Sequence, residues 1–346
     1  MPLPFEPPVE PMLAKLQREI PTGEGWLYEP KWDGFRAIIF RDRGETTIIS
    51  RDERPFDRYF PELHPAFDDL AKTCVVDGEI VIPGKTTLDF GSLLMRIHPA
   101  ASRVRLLAEQ IPASFVAFDL LGSGSTDLRD KPFVDRRKRL EKIVSDSLPS
   151  KASKREVMSI LRPAPRVVLT SQTEDPKTAK RWFDVYEGAG LDGVIAKRSD
   201  LRYVHGKREM IKVKHQRTVD CVVGGYRLSK AGDGIGSLLL GLYDDQGNFH
   251  YVGHTSSFKA AERRELLKKL KKLEGGHSFA GGRMPGGPSR WTGGRDTSWV
   301  PVEPKLVCEV AYDHMQGDRF RHASTFLRWR PEKPPKDCNL DQVLPV

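Results

Sequence analysis

The chain has 346 residues, which at the usual ~150 residues per domain implies about two domains with their own cores and excludes a disulfide-stapled miniprotein. Lys and Arg number 56 against 47 Asp and Glu, a net charge of +9, so the expected partners are polyanions: nucleotide, nucleic acid or an anionic lipid surface. The 38% hydrophobic and 30% charged composition is that of a soluble globular protein, and no apolar run approaches the ~18 residues of a membrane span, which sets lipid last.

Residues 1–11 are rich in proline and acidic residues and lack the basic and apolar regions of a secretion signal, so a cytoplasmic protein is expected. Short apolar runs rich in Val, Ile, Phe and Tyr then predict strands over 26–29, 35–40, 46–50, 74–82, 114–121, 167–170, 194–197 and 210–214. Apolar residues at three- and four-residue spacing predict helices over 60–72, 134–144 and 177–187. The irregular alternation favours a mixed α+β domain over a strict βαβ repeat.

The composition changes after residues 214–217, which sets domains of 1–216 and 217–346. Strands are predicted over 220–226, 236–243 and 248–253, a helix over 259–273, and strands over 305–312 and 319–329. Five strands with a helix between the third and fourth is the order of an all-β OB-fold barrel. The helix carries Lys259, Arg263, Arg264, Lys268, Lys269, Lys271 and Lys272 against Glu262 and Glu265, with leucines on a buried stripe. Residues 275–294 are dense in glycine and basic residues and predict a loop.

Some signals are weak. Cys74, Cys221, Cys308 and Cys338 are widely separated without a CxxC pair, so they read as ordinary thiols. Residues 122–127 follow a strand with two glycines but open no helix, which makes a turn of them rather than a dinucleotide fingerprint. His250 and His254 have helical spacing within a β-type sequence and no third ligand close by, so metal binding is not expected.

The informative segment is Glu29-Pro30-Lys31-Trp32-Asp33-Gly34-Phe35-Arg36, a lysine on a Gly-containing turn between two strands, flanked by carboxylates and an arginine. On spacing alone a surface hairpin is the better reading. A nucleophilic lysine must shed a proton from a free pKa near ~10.4, and nearby cationic groups assist this. Further positive residues are therefore expected around it.

Lys31-x-Asp33-Gly34 resembles motif I of the covalent nucleotidyltransferases, and six further segments resemble the later motifs in order: Ser50-Arg51-Asp52; Val76-Asp77-Gly78-Glu79-Ile80; residues 115–121; Asp192-Gly193-Val194-Ile195-Ala196-Lys197; Ile211-Lys212-Val213-Lys214; and residues 326–333. Within that superfamily the chain is most similar to ATP-dependent DNA ligases, particularly the small bacterial ligase C type built of an α+β nucleotidyltransferase (adenylation) domain and an OB-fold domain. The resemblance covers nearly the whole chain.

The resemblance implies that Lys31 attacks the α-phosphorus of ATP to form lysyl-AMP, with Lys212 and Lys214 on the α-phosphate. It implies Arg36 and Glu79 at the ribose hydroxyls, Glu29 at the adenine edge, Phe118 and Ile195 against the purine faces, and Arg328, Arg330 and Lys333 on the leaving pyrophosphate. Asp33, Glu79 and Asp192 would supply carboxylates to Mg²⁺ or Mn²⁺, and Arg51 would hold the 5′-phosphate of nicked duplex DNA. A monomer that uses no membrane is expected. Asp192 stands where many relatives have Glu, and Met210 where motif V often has Trp. The alternatives are a GTP-using capping guanylyltransferase, an RNA ligase and a non-catalytic OB-fold protein that binds nucleic acid.

Overall fold

The computed structural model describes residues 2–191, 193–215, 217–286 and 298–343. The chain divides into two compact units, residues 1–215 and 216–346.

The first unit is built on two sheets. The larger runs β4 (Glu45–Ser50), β3 (Phe35–Asp42), β5 (Cys74–Val81), β6 (Ser114–Ser123), β9 (Val167–Leu169) and β8 (Asp146–Ser147), with β7 (Thr126–Asp127) hairpinned onto β6. The smaller runs β1 (Leu13–Gln17), β11 (Arg208–Val213), β10 (Val194–Arg198) and β2 (Trp26–Pro30).

Side-chain alternation explains why the larger sheet's strands read as continuous apolar runs. Ala37 and Ile39 of β3 join one buried cluster with Phe60, Leu63, Phe67 and Leu140, whereas Ile38 and Phe40 join another with Met12 and Met210. Both faces are therefore covered, a situation that favours unbroken hydrophobic strands. The smaller sheet packs on the larger through Tyr28, Val194, Ile211 and Val213 against Val81, Val116 and Val168, joined by Trp182 of a helix spanning Pro176–Val185. That helix begins with Pro176 at its first position and Asp175 accepting from the Lys177 and Thr178 N–H groups, both at 3.0 Å.

All eight strands predicted in this region are present, but the helix predicted over 60–72 is not continuous. It is a four-residue turn, Leu63–Ala66, followed by a 3₁₀ turn, Phe67–Asp69. Pro61 disfavours the helical region for the residue before it, and Phe60 sits at φ −133°. Phe60, Leu63, Phe67 and Leu70 are buried all the same, so the spacing reported burial rather than a regular helix. Helices Phe90–Met95, Ala101–Gln110 and Lys154–Ile160 and the edge strand β1 were not anticipated. Val104, Leu107 and Ala108 carry the spacing that would have revealed the second of these helices. Residues 122–127 form the β6–β7 turn, as the missing third glycine suggested.

The second unit is a barrel. β12 (Arg217–Leu228), β13 (Ile235–Tyr243) and β14 (Phe249–Thr255) form an antiparallel meander, and β16 (Val307–Tyr312) and β19 (Thr325–Trp329) extend it on the other side of β12. β15 (Val300–Pro301) also pairs with β12. A bridge between Thr255 and Ser324 brings the end of β14 to the start of β19. A helix over Ala260–Lys271 follows β14 and buries Leu267 and Leu270. The strand predicted over 319–329 is two, β18 (Arg319–Phe320), hairpinned with β17 (Met315–Gln316), and β19. This is the OB-fold order read from the sequence. All four cysteines are free and buried. Among the described residues no helix is long and apolar enough to cross a membrane.

Candidate active site

Lys31 directly follows the last residue of β2, and its backbone is pinned on both sides. The Lys31 N–H donates to the Gly193 carbonyl and the Asp33 N–H to the Gly190 carbonyl, each at 3.0 Å. The Gly34 N–H donates to Glu79 Oε1 at 3.1 Å. Two of these glycines are obligatory: a Cβ on Gly34 would lie 2.2 Å from the Ile80 carbonyl oxygen, and one on Gly193, at φ +132°, would lie 2.0 Å from that of Val213. The turn is thus clamped between the ends of both sheets.

Strand register assembles the charges around it. Glu29, Ile195 and Lys212 lie directly opposite one another across β2, β10 and β11 and so share a face of the smaller sheet. Burial lowers the Lys212 pKa, and the charges of Lys214, Lys31, Arg51 and Arg208 lower it further, which places these cations in one field. Arg51 stands on the turn after β4, where its N–H donates to the Arg36 carbonyl at 3.0 Å. The carboxylate side is Glu79, whose pKa rises to about 7 because burial, with Asp33 adding, outweighs Lys31 and Arg36. Cations therefore gather on one side of Lys31 and carboxylates on the other.

Arg36 is cross-strand from Glu79 on β3 and β5. Its guanidinium is heavily engaged: Nε and Nη2 donate to Asp77 at 3.0 and 2.6 Å, and Nη1 to the Met12 carbonyl at 2.6 Å. Burial alone would pull its pKa down, but Asp77 and its neighbours raise it, so it stays charged. The Tyr203 hydroxyl donates to Asp77 Oδ2 at 2.7 Å and accepts from the Met12 N–H at 3.1 Å, closing the network.

Phe118 owes its position to a β-bulge. Asp77 pairs with Asp119 and Gly78 with Ala117, so Phe118 is the extra residue on β6, re-aimed out of the ladder. Its half-buried ring faces the Arg36 guanidinium at 5.4 Å and the Lys197 ammonium at 4.9 Å. Lys197, on the same face of β10 as Ile195, ion-pairs with Glu29 at 2.8 Å, and Glu29 also accepts from Gln172 at 3.1 Å and neighbours Arg137 at 3.6 Å.

The structure therefore brings together Glu29, Lys31, Asp33, Arg36, Arg51, Glu79, Phe118, Ile195, Lys212 and Lys214 around one turn. The expected carboxylate Asp192 lies outside the described residues. Among the described residues no group of three or more His, Cys, Asp and Glu could hold a metal. Asp33 and Glu79 do fit a divalent cation that keeps most of its waters, since a positive charge would favour the ionised Glu79 that burial, with Asp33 adding, disfavours. Sequence reasoning quoted Asp77 and Lys197 without giving them roles and missed Tyr203, Gln172 and Arg137. A lysine alternating with Ile195 inside a buried strand was the available signal for Lys197; Tyr203 had none.

In the second unit Arg328, Arg330 and Lys333 share one acidic patch. Arg328 Nε lies 2.6 Å from Glu309, Arg330 Nη1 lies 3.0 Å from Asp220, and Lys333 Nζ lies 3.2 Å from Asp220. Of the basic residues on the helix, Arg263 turns inward and donates to the carbonyls of Ile235, Gly236, Ser256 and Phe258. In the basic, glycine-rich loop predicted over 275–294, Arg283 pairs with Asp318, while Arg290 and Trp291 lie outside the described residues.

A family profile described as "ATP dependent DNA ligase domain" matches residues 11–214, and one described as "ATP dependent DNA ligase C terminal region" matches residues 231–333. The chain is 49% identical over 354 residues to DNA ligase C1 of Mycolicibacterium smegmatis, covering 99% of this chain and 96% of that one. It is 48% identical over 356 residues to DNA ligase C of Mycobacterium tuberculosis, with the same coverages. A solved structure from a study of Lig E DNA ligases matches with a TM-score of 0.54 at 16% identity, over 92% of this chain and 99% of that one, which is a likeness of fold.

Proposed function

The chain belongs to the ATP-dependent DNA ligases, and from that premise we propose that it seals nicks in duplex DNA through a lysyl-adenylate on Lys31. The observation that carries this reading is the convergence of Lys31, Lys212, Lys214 and Arg51 in one field beside Asp33 and Glu79. No simple structural role requires so many cations about one lysine.

In the first step the Lys31 amine, stripped of a proton, forms a bond to the α-phosphorus of ATP as the bond to the bridging oxygen breaks, and pyrophosphate leaves. Lys212 and Lys214 meet the negative charge that builds on the α-phosphate oxygens. Glu79 accepts from the ribose and Arg36 donates to it, Arg36 being held in place by Asp77. Glu29 reads the adenine edge, with Phe118 and Ile195 as the apolar surfaces for the purine. Arg328, Arg330 and Lys333 serve the pyrophosphate.

A divalent cation would neutralise triphosphate charge, held by Asp33 and Glu79 and by Asp192. In the second step the phosphorus–nitrogen bond to Lys31 breaks as the 5′-phosphate of the nick takes the AMP, Arg51 holding that phosphate. In the third the 3′-hydroxyl attacks the activated phosphorus and AMP leaves, joining the strand.

The test is incubation with α-labelled ATP and Mg²⁺, then denaturation. Label should remain on the unaltered chain and be absent from Lys31→Ala, and GTP should not substitute. An unaltered chain that retains no label, or seals no nick once labelled, overturns the reading.

A further inference from the structure

Residues 170–173, which follow β9, are held against the rest of the first unit from several sides. The Thr170 N–H donates to the Ala117 carbonyl at 2.9 Å, and its hydroxyl accepts from the indole N–H of Trp32, the neighbour of Lys31, at 2.8 Å. The Ser171 hydroxyl donates to the Leu148 carbonyl at 3.0 Å. Thr173 forms an antiparallel bridge with Tyr28, with N–H to carbonyl bonds in both directions at 2.8 and 3.0 Å. One step along that register sets Gln172 opposite Glu29. Gln172 therefore extends the row of Glu29, Ile195 and Lys212 across the smaller sheet, at the end opposite Lys212.

The chemistry of the pair fixes which way round the Gln172 amide lies. Gln172 Nε2 lies 3.1 Å from Glu29 Oε1, and a carboxylate can only accept, so the amide N–H groups face Glu29. Glu29 is itself only 2% exposed and has Lys197 and Arg137 at its oxygens, at 2.8 and 3.6 Å, so it cannot turn away. The Gln172 side-chain carbonyl oxygen is the other end of the amide, and among the described residues it has no hydrogen-bond partner. Gln172 is half-buried rather than enclosed, so a ligand can reach that oxygen. Phe118, the ring proposed for one face of the purine, is tied into the same cluster through Lys197, which stands 4.9 Å from its centre.

We propose that Gln172 is a specificity-determining residue, whose side-chain carbonyl accepts a hydrogen bond from the exocyclic amine of adenine and so selects ATP over 6-oxo purine nucleotides. The inference rests on the ligase reading and on Glu29 lying at the adenine edge, and it names an acceptor there. Adenine presents an N–H donor at its 6-position, where guanine presents an oxygen acceptor. An oriented acceptor pairs with the first and is left facing lone pairs on the second. Because Glu29 fixes the amide, Gln172 cannot turn its N–H groups outward to serve a 6-oxo group without giving up that bond. Phosphate contacts and ring stacking are alike for all purines, so discrimination at this edge calls for such an oriented group.

Lysyl-nucleotide formation is followed by intact mass for the unaltered chain, Gln172→Ala and Gln172→Met. The nucleotides are ATP, ITP, and purine riboside triphosphate, which lacks the 6-amino group. The unaltered chain should favour ATP over purine riboside triphosphate by about tenfold in apparent second-order rate constant, and over ITP by more. Both variants should lower the ratio of ATP to purine riboside triphosphate several-fold, losing rate with ATP while keeping that with purine riboside triphosphate. A role in folding, or in holding Glu29 alone, would slow all three nucleotides in parallel, and unchanged ratios overturn the proposal. Gln172→Met keeps the bulk of the side chain, so the ratio is readable even where Gln172→Ala folds poorly. An unaltered chain that forms no adduct with ATP defeats the ligase reading and this role with it, whereas an adduct with unchanged ratios defeats only the role of Gln172.

Discussion

Lys197 Nζ stands 2.8 Å from Glu29 Oε2, with both side chains no more than 3% exposed. The pair joins β10 to β2 just below the Lys31 turn, and the same ammonium lies 4.3 Å from the centre of the Phe133 ring and 3.4 Å from the Phe118 carbonyl. A strand lysine is thereby converted into the support for Glu29, the residue proposed to read the adenine edge.

Removing one partner of a buried pair leaves the other charge uncompensated, which costs on the order of 3–5 kcal/mol. Gln172 and Arg137 also serve Glu29, so Lys197→Met should cost about 3 kcal/mol, at the lower end of that range. Urea denaturation of Lys197→Met and of the double variant Lys197→Met, Glu29→Gln checks this. The double variant should regain part of the loss, and no recovery would show that the ammonium matters for its ring and carbonyl contacts alone.

Tyr203→Phe removes one of the donors to Asp77 and the acceptor for the Met12 N–H, a loss of about 1–2 kcal/mol. Because Asp77 holds Arg36, the KM for ATP in lysyl-AMP formation should rise several-fold. Sealing of a pre-adenylated nick, which uses no ATP, should keep its rate. A parallel loss in both assays would mean that Tyr203 acts only on overall stability.

Glu79 titrates at about 7 in the folded chain, well above the ~4.3 of a free glutamate. Between those values the folded chain holds a proton that the unfolded chain has lost. The stability from Glu79 is therefore complete below pH ~4.3 and is lost as the pH rises through about 7. In nucleotide-free and metal-free protein, the urea midpoint from pH 5.5 to 8.5 should fall more steeply for the unaltered chain than for Glu79→Gln. Identical slopes would place the titration elsewhere.

Asp220 accepts from Arg330 Nη1 with both oxygens, at 3.0 and 3.1 Å, and pairs with Lys333. Any pyrophosphate that these cations serve must compete with that carboxylate. Asp220→Asn should therefore lower the pyrophosphate concentration that half-maximally discharges lysyl-AMP, by several-fold, without changing the rate on a pre-adenylated nick. A raised half-saturating concentration would instead make Asp220 an aid to their orientation.

The strands and the two-part organisation were legible in the sequence because burial on both faces of the larger sheet writes itself as unbroken apolar runs. The motif residues could be picked out in the sequence because the roles proposed for them, as nucleophile, phosphate cations and carboxylates, each demand a particular chemical type. What the sequence did not carry was partnership. That Arg36 is committed to Asp77, that Tyr203 reaches across the fold to the same carboxylate, and that Phe118 stands on a bulge depend on register between strands far apart in the chain. Register is set by how whole faces pack, so no local pattern reports it. The cation excess read at the outset divides in the same way: its sign is a property of composition, but only the tertiary structure decides which arginines are spent on carbonyls and carboxylates, as Arg263 and Arg330 are.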